Sequence, residues 1–385
     1  MFAEACAQNA GLEGDSLLAL IALKAEQRRV PLNVHFEITY RCNQQCIHCY
    51  CVVPHGQEEE ARKRELTYGE ITQVLDDLAE MGALYLTLSG GEVLVRRDFF
   101  DIAAHAKDRG FVLRIFTNGM GLTEEQVRRI AVLEPMTVEL SIFSADPAIH
   151  DSITRVSGAF DRVIRNVHRL KAHGLRVYLK TVVMKRNFAG LLNLRQLGKN
   201  LDVFTHTFSC EVSPGINGDP HRPSQYQLNE EELSAYLASP AWKKELQPIP
   251  HEPPEGVARQ TQTCGPAING CCIDPYGNVF PCIAFRTPLG NIRELRFKKL
   301  WYAPPPSIQD LLSVQRYADL PECRSCGLVG FCNRCHGDNM LEQGGDWKAC
   351  HQRACMVARA EQKLYQILRN DKEGVEHADQ IEATV

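Results

Sequence analysis

The sequence predicts an α/β protein in which a partial, TIM-like (β/α)6 barrel is followed by a small loop-rich domain. Between residues 34 and 212, short apolar runs alternate with helical patterns, and ten of the 16 cysteines lie beyond residue 263. Strands that alternate with helices indicate a parallel sheet, because parallel neighbours need a long crossover connection. Six such units fall short of the eight that close a TIM barrel.

The elements of this barrel follow from the spacing of apolar residues. Helical patterns lie between the strands, as at Thr67–Met81 and Asp161–His173. In parallel α/β folds the chemistry lies at the carboxyl ends of the strands, so we expect the site there. The predicted strands are Val34–Thr39, Leu84–Ser89, Val112–Thr117, Thr137–Ile142, Arg176–Val183 and Thr205–Val212.

The regions around the barrel differ from it in composition. A helical pattern precedes the barrel and stops at Pro31, prolines and polar residues follow it, and the last residues are acidic. A loop-rich, cysteine-rich domain is typically held together by metal, because its apolar core is small. We therefore predict an N-terminal helical segment (1–30), the barrel (31–225), a linker (226–261), the cysteine-rich domain (262–369) and a flexible acidic tail (370–385).

Charge and hydropathy exclude several classes of protein. The formal net charge of -4 argues against a nucleic-acid-binding chain. No window approaches the roughly 20 apolar residues of a membrane span. The N-terminus has Glu4 and lacks the basic start of a signal peptide. The sequence predicts a cytoplasmic protein with no nucleic-acid or membrane partner.

The cysteines are too clustered to be scattered core residues. Cytoplasmic thiols stay reduced, so clustered cysteines indicate metal or iron–sulfur ligands rather than disulfides. Cys42, Cys46 and Cys49 directly follow the first predicted strand with spacing C-x3-C-x2-C. Three thiolates on one loop can hold three irons of a [4Fe–4S] cluster and leave the fourth iron open. The alternative is a zinc loop completed by His48 or His55.

The segment ITYRCNQQCIHCY resembles the signature of radical S-adenosylmethionine (radical SAM) enzymes. In that family the open iron chelates the amino and carboxylate groups of SAM. One-electron reduction then gives a 5′-deoxyadenosyl radical, which abstracts a hydrogen atom from the substrate. The resemblance implies SAM as a cofactor and an external one-electron donor such as flavodoxin or ferredoxin.

Segments at the ends of later strands extend the resemblance. LSGGEVL, at residues 88–94, is similar to the family's GGE motif, with Val93 where the family usually has proline. Glycines allow close backbone approach, and a carboxylate can accept from the methionyl ammonium. A Gly-Gly-Glu run alone is more often only a turn, so its position at a strand end matters. The resemblance implies that SAM is bound by His48, Ser89, Gly90, Gly91, Glu92, Asn118 and Ser141.

The later cysteines resemble the SPASM extension of the same family, which carries two auxiliary iron–sulfur clusters. The family usually has three residues before the last cysteine of the central run, whereas this chain has only Asn333 and Arg334. A four-thiolate zinc knuckle, or one auxiliary cluster instead of two, are the alternatives. The resemblance implies one set of Cys264, Cys272 (or Cys271), Cys282 and Cys335, and another of Cys323, Cys326, Cys332 and Cys355 (or Cys350).

SPASM domains usually accompany peptide substrates, so the resemblance implies a maturase that cross-links, cyclises or excises part of a ribosomally made peptide. A sulfatase-maturing enzyme would carry Asp directly after the cysteine at 282, where this chain has Ile283. A tetrapyrrole-modifying enzyme and a non-catalytic electron carrier are further alternatives. The 29 residues before the barrel are too few for a leader-binding domain, so we expect a separate recognition protein or direct binding of the peptide.

Overall fold

A computed structural model describes residues 17–209, 212–216, 221–237, 265–314 and 316–382. One sheet runs through its larger unit, in the order β6-β5-β4-β3-β2-β1-β7-β8-β9. Strands β1 to β6 are parallel neighbours, which confirms the predicted partial barrel. In chain order, β1 to β9 are Asn33–Thr39, Tyr85–Gly90, Val112–Thr117, Thr137–Ser141, Val177–Val182, Phe204–Ser209, Gly270–Ile273, Asn278–Phe280 and Gly290–Asn291.

Helices cover the outer face of the barrel strands. Thr67 and Thr123 begin two of them with capping boxes. In each box the threonine hydroxyl accepts from the amide of the third helical residue, and the threonine backbone amide donates to the side chain of that residue, Glu70 or Gln126. The helices of this unit are Leu17–Gln27, Glu58–Arg64, Tyr68–Glu80, Phe99–Asp108, Glu124–Leu133, Pro147–Thr154, Ala159–Ala172, Leu191–Leu201, His221–Ser224, Phe297–Tyr302 and Pro306–Ser313.

The inner face of the sheet is polar. His35 on β1 meets the Phe116 ring on β3 edge-on at 5.8 Å, and the Nζ of Lys180 on β5 lies 3.4 Å from the same ring centre. Side chains from strands two apart therefore touch across a concave interior. Lys180 also pairs with Glu139 on β4 at 3.0 Å. The opposite face is apolar and buried, as Leu88 and Leu140 show.

Strand β7 joins the barrel sheet rather than standing apart from it. It pairs in parallel with β1, with Cys272 opposite His35, and β8 and β9 continue antiparallel. The larger unit accordingly comprises Met1–Gln227 and Gly265–Ser313. The predicted cysteine-rich domain, 262–369, thus begins with residues that extend the barrel sheet.

The second unit comprises Leu228–Cys264 and Val314–Val385. Its helices are Glu230–Leu237, His336–Glu342 and Gln352–Glu382, with short 3-10 turns at Tyr317–Asp319 and Val329–Phe331. The last helix runs beyond residue 369, into the segment predicted to be a flexible tail. Arg359 on this helix donates to Glu230 at 2.8 Å. None of the described helices is both long and apolar enough to cross a membrane.

Candidate active site

The loop that carries Cys42, Cys46 and Cys49 starts at the carboxyl end of β1. Its backbone is held by the end of the helix Pro147–Thr154, because the amides of Gln45 and Ile47 donate to the carbonyls of Thr154 and Ile153 at 3.3 and 3.0 Å. Ile47 anchors the loop in an apolar cluster with Phe143 and Met184. These contacts with the fold position the loop.

The three thiols lie close enough to influence one another. Burial raises the pKa of Cys42 to about 12, and the charges of Glu92 and Cys49 add to this effect. Burial and both partner thiols also raise the pKa of Cys46. Buried thiols of this kind become thiolates when a metal supplies positive charge. The donor set and its place at a strand end fit an iron–sulfur cluster.

Gly90 and Gly91 are required by the close packing of β2 against the end of β1. Gly90 has φ +129°, and a Cβ there would lie 2.0 Å from the carbonyl oxygen of Thr39. A Cβ on Gly91 would lie 2.4 Å from the carbonyl oxygen of Arg41. The Gly91 amide donates to the Thr39 carbonyl at 2.7 Å. The two glycines thus let this segment support the cysteine loop directly.

Glu92, just after β2, is 2 % exposed, and its carboxylate ties this segment to the end of β3. Its Oε1 accepts from the Thr117 hydroxyl at 2.7 Å and from the Leu94 amide at 3.1 Å, while Oε2 accepts from the Asn118 amide at 2.7 Å. Burial raises the pKa of Glu92, and these hydrogen bonds oppose that shift. A carboxylate has about four acceptor positions, so Oε2 retains one for a further donor.

Asn118 faces the cysteine loop. Its side-chain amide donates to Asn43 Oδ1 at 2.6 Å and to Cys42 Sγ at 3.7 Å. Ser141 ends β4 in register with Lys180, and Ser89, the residue before the last of β2, lies opposite Glu37. The structure therefore brings the polar residues singled out in the sequence to one end of the sheet.

His48 packs beside the loop rather than into solvent. Its ring meets Phe143 edge-on at 4.6 Å, and its buried Nδ1 has no hydrogen-bond partner among the described residues. Burial lowers the pKa of His48 to about 4, so the ring is neutral near pH 7. His55, the other residue of the zinc alternative, is exposed and pairs with Glu58 at 3.0 Å.

Two features of this site were not apparent in the sequence. Arg155, just past the helix Pro147–Thr154, lies near enough to Cys46 to oppose the burial that raises the pKa of that thiol. Glu37 on β1 is fully buried and accepts from Tyr50 at 2.5 Å and from both Nη atoms of Arg286 at 3.0 and 3.1 Å. Glu37 is an acidic residue at an inward strand position, and the alternation of β1 is the signal that could have found it.

Cys272 and Cys271 point to opposite faces of β7. Cys272 Sγ lies 3.7 Å from Glu37 Oε2. Burial raises the pKa of both thiols, and the nearby Cys282 adds to the shift of Cys272 only. This geometry favours Cys272 as the partner of Cys282. Cys264 lies outside the described residues.

The second unit brings the remaining cysteines together on short loops. The thiols of Cys350 and Cys326 help to raise the pKa of Cys323, after burial. Cys350 Sγ and Cys355 Sγ are 3.2 Å apart, so both alternatives for the fourth ligand remain open. Cys335 begins the helix His336–Glu342, and its Sγ accepts from the Asp338 amide at 3.4 Å. Among the described residues, no three His, Cys, Asp or Glu side chains are arranged to hold a single metal ion.

Comparison with known families agrees with this geometry. A model of the Radical SAM superfamily matches residues 36–196, and a model of the SPASM iron–sulfur cluster-binding domain matches residues 264–327. The chain therefore contains a radical SAM domain and a SPASM domain. The radical SAM domain implies a [4Fe–4S] cluster and SAM, and the SPASM domain implies auxiliary iron–sulfur clusters.

Several proteins of known name are similar to most of this chain. The chain is 29% identical to an AdoMet-dependent heme synthase of Methanosarcina barkeri, over 70% of this chain and 82% of that protein. It is 26% identical to the mycofactocin maturase MftC of Mycobacterium tuberculosis (80% and 78%) and 27% identical to a PqqA peptide cyclase of Granulibacter bethesdensis (77% and 79%).

A solved structure shares the fold. The crystal structure of Streptococcus suis SuiB bound to its precursor peptide SuiA has a TM-score of 0.60 at 17% identity, covering 83% of this chain and 75% of that one. At this identity the likeness concerns the fold alone.

Proposed function

We propose that this chain is a radical SAM enzyme that abstracts a hydrogen atom from a ribosomally synthesised peptide and thereby cross-links, cyclises or excises part of it. The observation that carries the proposal is the three-cysteine loop beside Glu92 and Asn118 at the end of a parallel barrel. The names of two relatives, a maturase and a peptide cyclase, support a peptide substrate.

The chain's own residues would hold and orient SAM beside the cluster. When bound by Cys42, Cys46 and Cys49, the cluster supplies the electron that cleaves SAM. The free acceptor position on Glu92 Oε2 suits the methionyl ammonium. Asn118, whose side chain donates to Asn43 and toward Cys42 Sγ, would meet the ribose or the carboxylate. The unpartnered Nδ1 of His48 suits adenine, and Ser89, Gly90, Gly91 and Ser141 complete the proposed set.

We place two auxiliary clusters in the rest of the chain. Cys264, Cys272, Cys282 and Cys335 would hold one, and Cys323, Cys326, Cys332 and Cys355 the other. Thiolate sets of four are the usual ligands of [4Fe–4S] clusters. The proximity of Cys272 to Cys282, and of Cys323 to Cys326, supports this division.

The proposed partners follow from this chemistry. A separate peptide-recognition protein would present the substrate, or the barrel would bind the peptide directly. A flavodoxin or ferredoxin would supply single electrons. The reduced thiols that such clusters need are consistent with the cytoplasm.

Incubation with candidate precursor peptides, taken from short reading frames found beside this chain's gene, tests the proposal. The reconstituted enzyme, with SAM and dithionite, should change the mass of one of these peptides by loss of hydrogen atoms or of a fragment. Mass spectrometry with fragmentation would locate the change. The heme synthase relative supports a second candidate, a tetrapyrrole substrate. A modified porphyrin with an unchanged peptide would favour that candidate and reject ours.

We expect no formylglycine on a sulfatase-derived peptide containing Cys-x-Pro-x-Arg. Forming that aldehyde requires loss of a proton as well as a hydrogen atom, and apolar Ile283 follows Cys282 where a base would stand. No acidic residue lies between Cys282 and Asn291. Mass spectrometry of the same reaction mixture checks this. Aldehyde formed as fast as 5′-deoxyadenosine would assign the chain to sulfatase maturation.

A further inference from the structure

Arg334 is the most deeply buried cation of the second unit's cysteine loops. Its residue is 2 % exposed, and it stands between Cys332 and Cys335, where the central cysteine run is one residue shorter than is usual in SPASM domains. Long basic side chains are rarely buried to this degree unless they are paired. We therefore expect the buried guanidinium of Arg334 to have hydrogen-bonding or charged partners.

The guanidinium of Arg334 spans two cysteine-bearing loops. Its Nη2 donates to the carbonyls of Trp347 and Ala349 at 2.5 and 2.6 Å, directly before Cys350. Its Nη1 lies 3.9 Å from Cys323 Sγ and donates toward that sulfur. The Arg334 side chain thus links the loop that precedes Cys350 to the loop that carries Cys323, and it contacts the sulfur atom of Cys323.

No carboxylate among the described residues neutralises this charge. The Nε of Arg334 donates to the ring Nδ1 of His336 at 3.3 Å, and a histidine ring supplies no negative charge. An unpaired charge in a protein interior is costly, so the site requires an anion. A thiolate-bound iron–sulfur cluster carries net negative charge and would supply one.

We propose that Arg334 is a positioning residue that raises the reduction potential of the auxiliary cluster held by the Cys323 set. The inference rests on the proposed function, because it requires that these cysteines bind a cluster. Hydrogen bonds to cluster sulfur and nearby charge are the means by which a protein sets such potentials. One-electron reduction adds one negative charge to the cluster, and a fixed buried cation stabilises that added charge.

The chain provides two matched controls for Arg334. Asn339 donates to the same two carbonyls, at 3.2 Å to Trp347 and 2.7 Å to Ala349, and its side chain donates to no cysteine sulfur of the described residues. Arg324 carries the same charge directly after Cys323 but is exposed. Asn339→Ala therefore tests loop order alone, and Arg324→Gln tests a solvated charge alone.

The experiment is an EPR-monitored dithionite titration of the anaerobically reconstituted, full-length holoenzyme, with iron and sulfide counted for each variant. The couple that disappears in Cys42→Ala/Cys46→Ala/Cys49→Ala belongs to the SAM-binding cluster. In Arg334→Gln we expect the reduction potential of one auxiliary cluster to fall by about 59 mV. At a fixed applied potential this corresponds to a tenfold smaller ratio of reduced to oxidised cluster. Arg334→Lys, which keeps the charge, should shift that couple less, and the other couples should not move.

Several results would overturn the proposal. Unchanged potentials in a fully loaded Arg334→Gln would do so, as would an equal shift in Asn339→Ala or Arg324→Gln. If Arg334→Gln loses its iron, Arg334→Lys decides, and a potential that falls by about 59 mV or more despite the retained charge counts against the proposal. Zinc in place of iron at the Cys323 set also overturns it. Failure of the proposed function is separate, because it appears as unmodified peptide while these potentials keep their pattern.

Discussion

Gly91→Ala is expected to abolish 5′-deoxyadenosine formation. The new Cβ would lie 2.4 Å from the Arg41 carbonyl oxygen and 2.6 Å from that of Tyr40, and neither backbone atom can move without displacing the cysteine loop. A displacement of about 1 Å at reacting groups can cost a factor of 10² in rate, and here the loop that holds the cluster moves as well. Product release is measured by chromatography, together with iron content.

Gly121→Ala is the matched control for this substitution. Gly121 lies at the same end of the sheet, and its added Cβ would stand 3.4 Å from the flexible side chain of Asn43. We expect this variant to retain its cluster and most of its activity. If Gly91→Ala cleaves SAM as well as Gly121→Ala does, the packing of the GGE segment against β1 does not position the loop.

Arg286→Met is expected to lower the free energy of unfolding by about 3–5 kcal/mol, because it leaves the Glu37 carboxylate buried without its cation. Glu37 is 0 % exposed, and Arg286 contacts both of its oxygens. Burial alone would raise the pKa of Glu37, but the charge and hydrogen bonds of Arg286 hold it below its ordinary value. Urea denaturation followed by circular dichroism measures the loss.

Arg293→Met provides the comparison for that loss. Arg293 pairs with Glu70 at the surface, at 2.6 Å, where both side chains are 31–40 % exposed. Exposed pairs contribute at most about 1 kcal/mol, so this variant should be nearly as stable as the parent. Glu37→Gln combined with Arg286→Met should recover part of the stability, because it removes the stranded charge. An equal loss of unfolding free energy in Arg286→Met and Arg293→Met would show that the buried pair contributes no more to stability than the surface pair.

The barrel strands could be predicted from the sequence because each βα unit has a short apolar run followed by a helical pattern. The predicted strand Val112–Thr117 matches the structure, and four others differ from it by one residue at one or both ends. The sixth, predicted at Thr205–Val212, begins one residue earlier at Phe204, and its predicted range includes residues 210 and 211, which lie outside the part of the chain that the structure describes. The pairing of β7 with β1 was not predictable, since it joins segments more than 230 residues apart and depends on main-chain hydrogen bonds that no side-chain pattern records.

Some residues of the candidate site could likewise be predicted from the sequence, and others could not. Cys42, Cys46 and Cys49 form a compact spacing at a strand end, so their role could be predicted. The partners of Glu37 and Arg334 could not, because a buried charge in sequence looks like any other polar residue until the fold shows what surrounds it. The segment beyond residue 369, expected to be flexible from its acidic composition, continues the helix Gln352–Glu382.

Cleavage of SAM is the most direct measure of the central claim, that a three-cysteine loop with an open iron makes this chain a radical SAM enzyme. The anaerobically reconstituted protein, given SAM and dithionite, should release 5′-deoxyadenosine. Cys42→Ala/Cys46→Ala/Cys49→Ala should release none while keeping the auxiliary iron. Equal release by the parent and the triple variant, or none by a fully loaded parent, would contradict the account.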